Sequence, residues 1–383
     1  MEEERRREAE WKRSETQSEV LDEPTSRDDF TIGIICALPL EAGAILRVFD
    51  RTWSVTRSGK RKGDTNQYSL GSLGPHNVVL VHIPKDVEPF EAAAMATACR
   101  KSFPNIDLLV VVGACGGAPT STGTDEILLG DVVISTNIVE YENITYGTNG
   151  AGDSEDQSDP SLKISIIDDR QPHPEIRNLL SKLEVEEYRE ALQDGMAEIL
   201  SRLPTNKAPY PLALEDRCFE AGYIHKHNDG STCAMCIDEK GGRVCEQVSR
   251  FSCVELSCTR DRHIVRGRSS GENKPAVHLG TIAIGEEVPR SGIERDRATI
   301  EAGAMAFDTG LAACVSDSFD RVLVIRGIFH YSDGHRHEME AWQKYASATA
   351  ASCAKVVLEE HWVREDEELE NFSPGDFGAD LGS

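Results

Sequence analysis

The chain has 383 residues, 39% of them hydrophobic, and a formal net charge of −25. That length and apolar content suit a globular protein with a sizeable core, and the acidity argues against nucleic acid and anionic membranes as partners, since both would be repelled. The first fifteen residues (MEEERRREAEWKRSE) lack the apolar core of a secretory signal, and the best apolar run, Leu108 to Val112, falls far short of a membrane span. A cytoplasmic protein is expected.

Residues 1–29 are almost entirely polar or charged and read as a tail without a core, disordered or helical. The patterned region follows, over 30–362. Phe30 to Ala37 (FTIGIICA) is a short apolar strand, followed by Pro39, Glu41 and a helical stretch to Val48. Tyr68 to Leu73 and Asn77 to Ile83 form a hairpin around Gly74-Pro75-His76. Pro89 to Ser102 is an Ala-rich helix, and Asp107 to Gly113 a continuous apolar run that suits a buried central strand. Asp131 to Ser135, Val277 to Ile284 and Arg321 to Gly327 are further strands, and Glu340 to His361 a long terminal helix. Gly147 to Ser161 reads as a linker, Pro172 to Leu203 as one or two helices, and 206–273 as a Cys-rich, turn-rich insertion. Residues 363–383 are an acidic tail. Strands alternating with helices predict an α/β fold of three layers, a mixed central sheet flanked by helices, with a site at the strand ends.

Eleven cysteines are many for a chain without a secretion signal. In a reducing compartment they act as small apolar groups or metal ligands. Cys233 and Cys236 form a CxxC pair, Cys245, Cys253 and Cys258 follow, and His225 and His227 lie just upstream. Short spacing of soft ligands can close a tetrahedral zinc site, for which Cys233, Cys236, Cys245 and Cys253 are the candidates. The alternative is a set of reduced thiols, because the second half lacks a CxxC.

Several blocks, in order, carry a family resemblance: IGIICALPLE at Ile32 to Glu41, VVGACGGAP at Val111 to Pro119, LGDVVIS at Leu129 to Ser135, VHLGTIAI at Val277 to Ile284, VIRGIFHYSD at Val324 to Asp333 and WQKYASATAASCAK at Trp342 to Lys355. In these the chain resembles the nucleoside phosphorylase superfamily of purine and uridine phosphorylase type. It looks most like the fungal branch found as N-terminal domains of NLR-type receptors. The resemblance implies cleavage of the N-glycosidic bond of a nucleoside or nucleoside-like small molecule, no required cofactor, and a homo-oligomer.

Such cleavage needs a proton donor for the leaving base, a grip on the sugar as it becomes oxocarbenium-like, and an attacking phosphate or water. The family match puts the nucleophile at Glu41 and the glycine-rich loop, with Gly33, Gly113, Ala114, Cys115 and Gly116 expected to approach substrate. Bacterial purine-type members carry arginines on these loops, whereas Glu41 here would repel phosphate and deprotonate water. Glu41 could instead simply cap the following helix. For the sugar, relatives write FEMEAAG, while this chain reads Phe307-Asp308-Thr309-Gly310, with Gly310 in place of the gripping Glu. Asp308 is the substitute candidate, with Phe307 and Thr309 lining the site, although a structural role for Asp308 stays open. For the acid, relatives write RGICDYSDSH. Here His330 replaces the first Asp, and Asp333 is expected to contact the substrate. Histidine can donate a proton near neutrality, though a structural histidine fits the same position. Gly285-Glu286-Glu287-Val288 departs from the family's GNQV. These departures leave two readings, an enzyme using Glu41, Asp308 and His330, or a catalytically impaired module that binds a nucleoside without turning it over.

Overall fold

Alternating burial sets up the sheet. In β1 (Ile32–Cys36) every residue is buried, with Ile32, Ile34 and Cys36 packed into one hydrophobic cluster and Ile35 into another on the opposite face. Successive side chains on a strand point to opposite faces, so a strand apolar at every position must be covered on both. The computed structural model describes residues 23–54, 59–84, 87–120, 126–144, 163–204, 210–211, 216–227, 233, 236, 247–248, 251–266, 274–316, 318–335 and 339–362. Most of the charged tail, the Gly147 to Ser161 linker, Cys245 and the acidic tail lie outside the described residues.

After β1 come α1 (Pro39–Val48), β2 (Arg51–Trp53), β3 (Gln67–Leu73), β4 (His76–His82), α2 (Pro89–Ser102) and β5 (Leu108–Gly117). Then follow β6 (Val132–Ile144), β7 (Lys163–Arg170), α3 (Pro174–Glu184), α4 (Glu186–Arg202), β8 (Arg217–Phe219) and β9 (His263–Val265). The chain continues with β10 (Val277–Gly285), α5 (Gly292–Ala302), β11 (Ala304–Thr309), α6 (Leu311–Ser316), β12 (Val322–His330) and α7 (Met339–Val356), which ends in a π-helical turn, Val357–His361.

The main sheet is ten-stranded and mixed, in the order β11-β10-β6-β12-β5-β1-β4-β3-β2, with β7 also paired to β6. β8 and β9 form a separate antiparallel pair inside the Cys-rich region. Helices α1, α3, α4 and most of α7 cover one face, while α2, α6 and the start of α7, with Trp342 and Tyr345, cover the other. The expected α/β fold with a mixed sheet flanked by helices is therefore what the chain adopts.

Two features adapt the sheet to its site. β11 pairs parallel with β10 and also antiparallel with β5, through Ala306–Gly117 and Phe307–Gly116. The sheet thus curls until β5, β12, β6, β10 and β11 make a closed ring. Second, α7 lies very close to β12, since a Cβ on Gly327 would collide with the backbone carbonyl of Ala346. The run of small buried residues from Ala346 to Ala351 permits this approach.

Strand lengths differ from the sequence expectation. β5 runs through Gly117 and β6 reaches Ile144, so the stretch read as a glycine-rich loop is strand. Gly113, Gly116 and Gly117 lack side chains, which hides their strand character from a pattern of apolar residues. β7 and α5 lack a clear apolar run and were absent from that reading.

Candidate active site

α1 opens with Pro39 in its first turn, and Glu41 closes that turn back on itself: the Leu38 N–H donates to Glu41 Oε2 at 3.0 Å. The other carboxyl oxygen, Oε1, accepts the Ala114 N–H of β5 at 2.8 Å. Glu41 is 2% exposed. It caps the helix, as one reading of the sequence allowed, and in doing so is anchored to the C-terminal half of the central strand.

Beside it lies a residue to which the sequence reading gave no role. Arg326, on β12, is 1% exposed, and its Nη2 stands 2.5 Å from Asp308 Oδ2 at the end of β11. The neighbouring position on β5 must be glycine, because a Cβ on Gly113 would run into Arg326 Nη1 and sit 2.5 Å from Glu41 Oε1. Glu41, Arg326 and Asp308 thus form one buried charge cluster at the C-terminal ends of β1, β12 and β11. Burial, the largest influence, pushes the Glu41 carboxyl up from its ordinary value, against the pull of Arg326 and its two backbone donors. Burial also works against the charge on Arg326, but Asp308 and Glu41 more than offset it and hold the guanidinium protonated. The signal in the sequence was an arginine inside an otherwise apolar strand (VLVIRGIF), because a buried cation requires partners.

A second cluster forms one pleat further along. Gly116 is paired with His330 across β5 and β12, and a Cβ there would collide with Ser332 Oγ and stand 2.7 Å from His330 Cε1. His330 Nδ1 accepts the Ser332 N–H at 2.9 Å. Ser332 has a left-handed backbone (φ 50°), unusual for a residue with a side chain. Its Oγ, like Asp333 Oδ2, is buried without a hydrogen-bond partner among the described residues. Buried polar atoms are normally satisfied, so these two mark a place where a water or ligand atom would be stabilised. Asp333 Oδ1 accepts the His335 N–H at 3.0 Å.

A cleft of about 770 Å³ opens at the same end of the sheet, lined by Ala37 after β1, by Ile284 and Gly285 of β10 with Glu286 just beyond it, by Thr309 at the end of β11 and by Gly310 after it. Glu88, Glu140 and Arg170 add charge to the wall. Arg170 is held by Glu140 (Nη2–Oε1, 2.8 Å) and Asp168 (Nε–Oδ2, 2.8 Å). Asp308 pairs across the strands with Ile284, and Thr309 with Gly285, so the charge cluster adjoins the cleft.

The sequence candidates therefore divide. Glu41, Gly113, Ala114, Gly116, Asp308, His330 and Asp333 converge on adjacent strand ends. Thr309 lines the cleft, and its N–H donates to Asp308 Oδ1 at 2.8 Å. Gly33 does not belong with them: it lies near the opposite, N-terminal end of β1, and a Cβ there would press on Leu109 and Ile106. Phe307 is fully buried core packed with Tyr141 and Ala298, and outside the cleft wall. Cys115 is likewise buried, its Sγ donating to the Gly116 carbonyl. The glycines of β5 make room for Arg326, Glu41, Ser332, His330 and Ile328.

The cysteines also group differently from expectation. Cys253 lies with His225, Cys258 and His335, while Cys233 and Cys236 lie with His227. The proposed quartet of Cys233, Cys236, Cys245 and Cys253 is thereby split, and Cys245 lies outside the described residues.

Comparison with known proteins adds three findings. Residues 31–199 match the Phosphorylase superfamily. A nucleotide-binding leucine-rich repeat (NLR)-like protein of Hyaloscypha variabilis is 26% identical over 355 residues, covering 90% of this chain and 31% of the relative, so the chain spans about a third of that protein's length. Among solved structures, the chain is similar to futalosine hydrolase of Helicobacter pylori (14% identity, TM-score 0.47, covering 88% of this chain and all of the other). It is also similar to the 5′-methylthioadenosine/S-adenosylhomocysteine nucleosidase of Neisseria meningitidis in complex with methylthio-immucillin-A (13% identity, TM-score 0.46, covering 86% and 98%). Among the described residues no helix is long and apolar enough to cross a membrane.

Proposed function

We propose, from the match of residues 31–199 to the Phosphorylase superfamily, that the cleft of this chain binds a nucleoside or nucleoside-like small molecule and cleaves the N-glycosidic bond with water. The buried Glu41–Arg326–Asp308 cluster beside the cleft carries this reading. Interring three charges at the mouth of a sheet costs desolvation energy that an apolar packing would avoid. Such clusters at the carboxyl ends of strands are typical of reactive sites.

Water is favoured over phosphate by electrostatics. The cleft wall carries Glu88, Glu140 and Glu286 against Arg170, which Glu140 and Asp168 already hold. The buried cation, Arg326, is shared between Asp308 and Glu41. An acidic wall repels a phosphate co-substrate or a nucleotide and accepts a neutral or cationic nucleoside. In the hydrolysis the bond from sugar carbon to base nitrogen breaks, and its electron pair leaves with the base. Water attacks the carbon, giving its proton to a carboxylate, for which Glu41 is the candidate. The negative charge of Asp308 opposes the positive charge developing on the sugar. His330 is the candidate to protonate the leaving base.

The second reading, binding without turnover, has its own observation. Both oxygens of Glu41 are already occupied by backbone N–H groups, and Gly310 offers no side chain to the sugar. The deciding measurement is release of free base from adenosine, inosine, guanosine and uridine, each with and without phosphate. Hydrolysis predicts phosphate-independent release that Glu41→Gln lowers by about 10²-fold or more, the scale of one general acid–base group. Saturable calorimetric binding with no release would establish the second reading, and neither binding nor release would overturn both.

A further inference from the structure

The Cys-rich region meets the loop that follows β12 in an arrangement of donors that hydrophobic packing does not require. His225, Cys253, Cys258 and His335 bring one ligand atom each to within 4.8 Å of all the others. Cys253 Sγ is 3.9 Å from His225 Nδ1 and 3.7 Å from His335 Nδ1, and Cys258 Sγ is 3.4 Å from His225 Nδ1. With zinc–sulfur bonds of about 2.3 Å and zinc–nitrogen bonds of about 2.0–2.1 Å, a tetrahedron has ligand-to-ligand edges of roughly 3.3–3.8 Å. The three sulfur–nitrogen spacings, 3.4, 3.7 and 3.9 Å, lie within that range or just above it.

The histidine orientations point the same way. His225 Nε2–H donates to the Phe251 carbonyl at 3.0 Å, and His335 Nε2–H donates to the Tyr223 carbonyl at 3.0 Å. In both rings the proton is fixed on Nε2, so in the neutral imidazole the lone pair lies on Nδ1, the nitrogen that faces the thiols. A backbone carbonyl behind each ring is the usual outer support of a metal-bound histidine. The Phe219 ring stacks on His335 with centroids 3.7 Å apart and fixes its plane. The Cys258 N–H donates to the Cys253 carbonyl at 2.9 Å, which folds the two thiols onto one side of a tight turn.

We propose that this quartet is a structural zinc site. Two thiolates and two neutral imidazoles balance the charge of a divalent zinc, and each thiol that enters as a thiolate releases one proton to solvent. Four protein ligands fill a tetrahedral shell and leave no open position, so the ion would serve the fold rather than a reaction. Three of the donors, His225, Cys253 and Cys258, come from the Cys-rich region, whereas His335 lies two residues beyond Asp333. The zinc therefore clamps that region onto the segment that presents His330, Ser332 and Asp333.

The test is metal analysis of the full chain expressed in zinc-supplemented medium and purified under reducing conditions. The His335→Ala/Cys258→Ser double variant should hold one zinc equivalent fewer per chain than the wild type, while Cys353→Ala holds the same amount. A Cys233→Ser/Cys236→Ser variant separates any ion held by the neighbouring group of His227, Cys233 and Cys236. Should the quartet variant fail to fold, the wild type still decides. Chelation should raise the alkylation rate of Cys258 at least tenfold, and cobalt added to the stripped protein should give a tetrahedral visible spectrum with a thiolate charge-transfer band. A wild-type chain that carries no zinc, takes up no cobalt and shows chelator-independent alkylation would overturn the proposal. So would a disulfide between Cys253 and Cys258 in the freshly purified, unreduced protein.

Discussion

Arg326 holds two carboxylates together in the interior, and its removal tests whether the cluster is held by charge. Arg326→Met keeps much of the volume but leaves Glu41 and Asp308 buried without their cation, which should cost about 3–5 kcal/mol. Equilibrium denaturation measures this, and a loss below about 1 kcal/mol would show that the cluster is solvated rather than paired. Two carboxylates should titrate with opposite effect on stability. The Glu41 carboxyl is raised by burial, so its contribution is full below its ordinary 4.5 and is lost as pH rises through its elevated pKa. Asp64 accepts hydrogen bonds from Ser102 Oγ (2.5 Å), the Tyr68 hydroxyl (2.7 Å) and the Asn66 N–H (2.9 Å). Partial burial alone would raise its carboxyl, but these bonds hold it below its ordinary 3.8. Its contribution is therefore present above 3.8 and lost as pH falls through the depressed value. Asp64→Asn should cost about 1–3 kcal/mol near neutrality. Melting curves from pH 3 to 8 should show the wild-type advantage over Asp64→Asn shrinking toward acid, and that over Glu41→Gln shrinking toward neutrality.

At the scale of elements, β5, β12 and α7 are spaced by glycines and alanines. Gly327→Ala would drive a methyl into the Ala346 carbonyl, a backbone atom that cannot rotate away. Overpacking of about 1–3 kcal/mol should follow, visible as a lowered melting temperature with retained far-UV circular dichroism. An unchanged melting temperature would mean that α7 can slide on the sheet. β1, α1, the β3–β4 hairpin and α2 were legible in the sequence because each is bounded by turn or proline signals and buries a continuous apolar face. The glycine stretch of β5 was not, since glycine spacing announces a close approach without saying what approaches. Here it is Arg326 and Ser332 of the chain itself. Thr309 and Asp308 were found through family resemblance, whereas Arg326 and Ser332 depend on pairings between strands distant in sequence, which one sequence does not display. The cysteine grouping failed for the same reason: His335, more than a hundred residues from His225, completes a set that local spacing alone assigned to Cys233 and Cys236.

For the whole molecule, the net charge of −25 sets the terms of association. Retention on a polyanionic resin should be negligible even at low salt, and binding of a cationic nucleoside analogue should weaken as salt rises, which titration calorimetry at two ionic strengths would register. Strong retention would reveal a local basic face that the overall charge conceals. The return of β11 to β5 has a consequence for biosynthesis. The contact joins Gly116 and Gly117 to Ala306 and Phe307, so nearly two hundred residues must emerge before the circuit can shut. Contacts so far apart in the chain form late. A polypeptide interrupted before residue 304 would retain the first strands and their helices but present an unfinished rim, with Glu41 in place and neither Asp308 nor Arg326 yet made. Closure of the ring, and with it the Glu41–Arg326–Asp308 cluster, is thus withheld until synthesis has run nearly to the final helix.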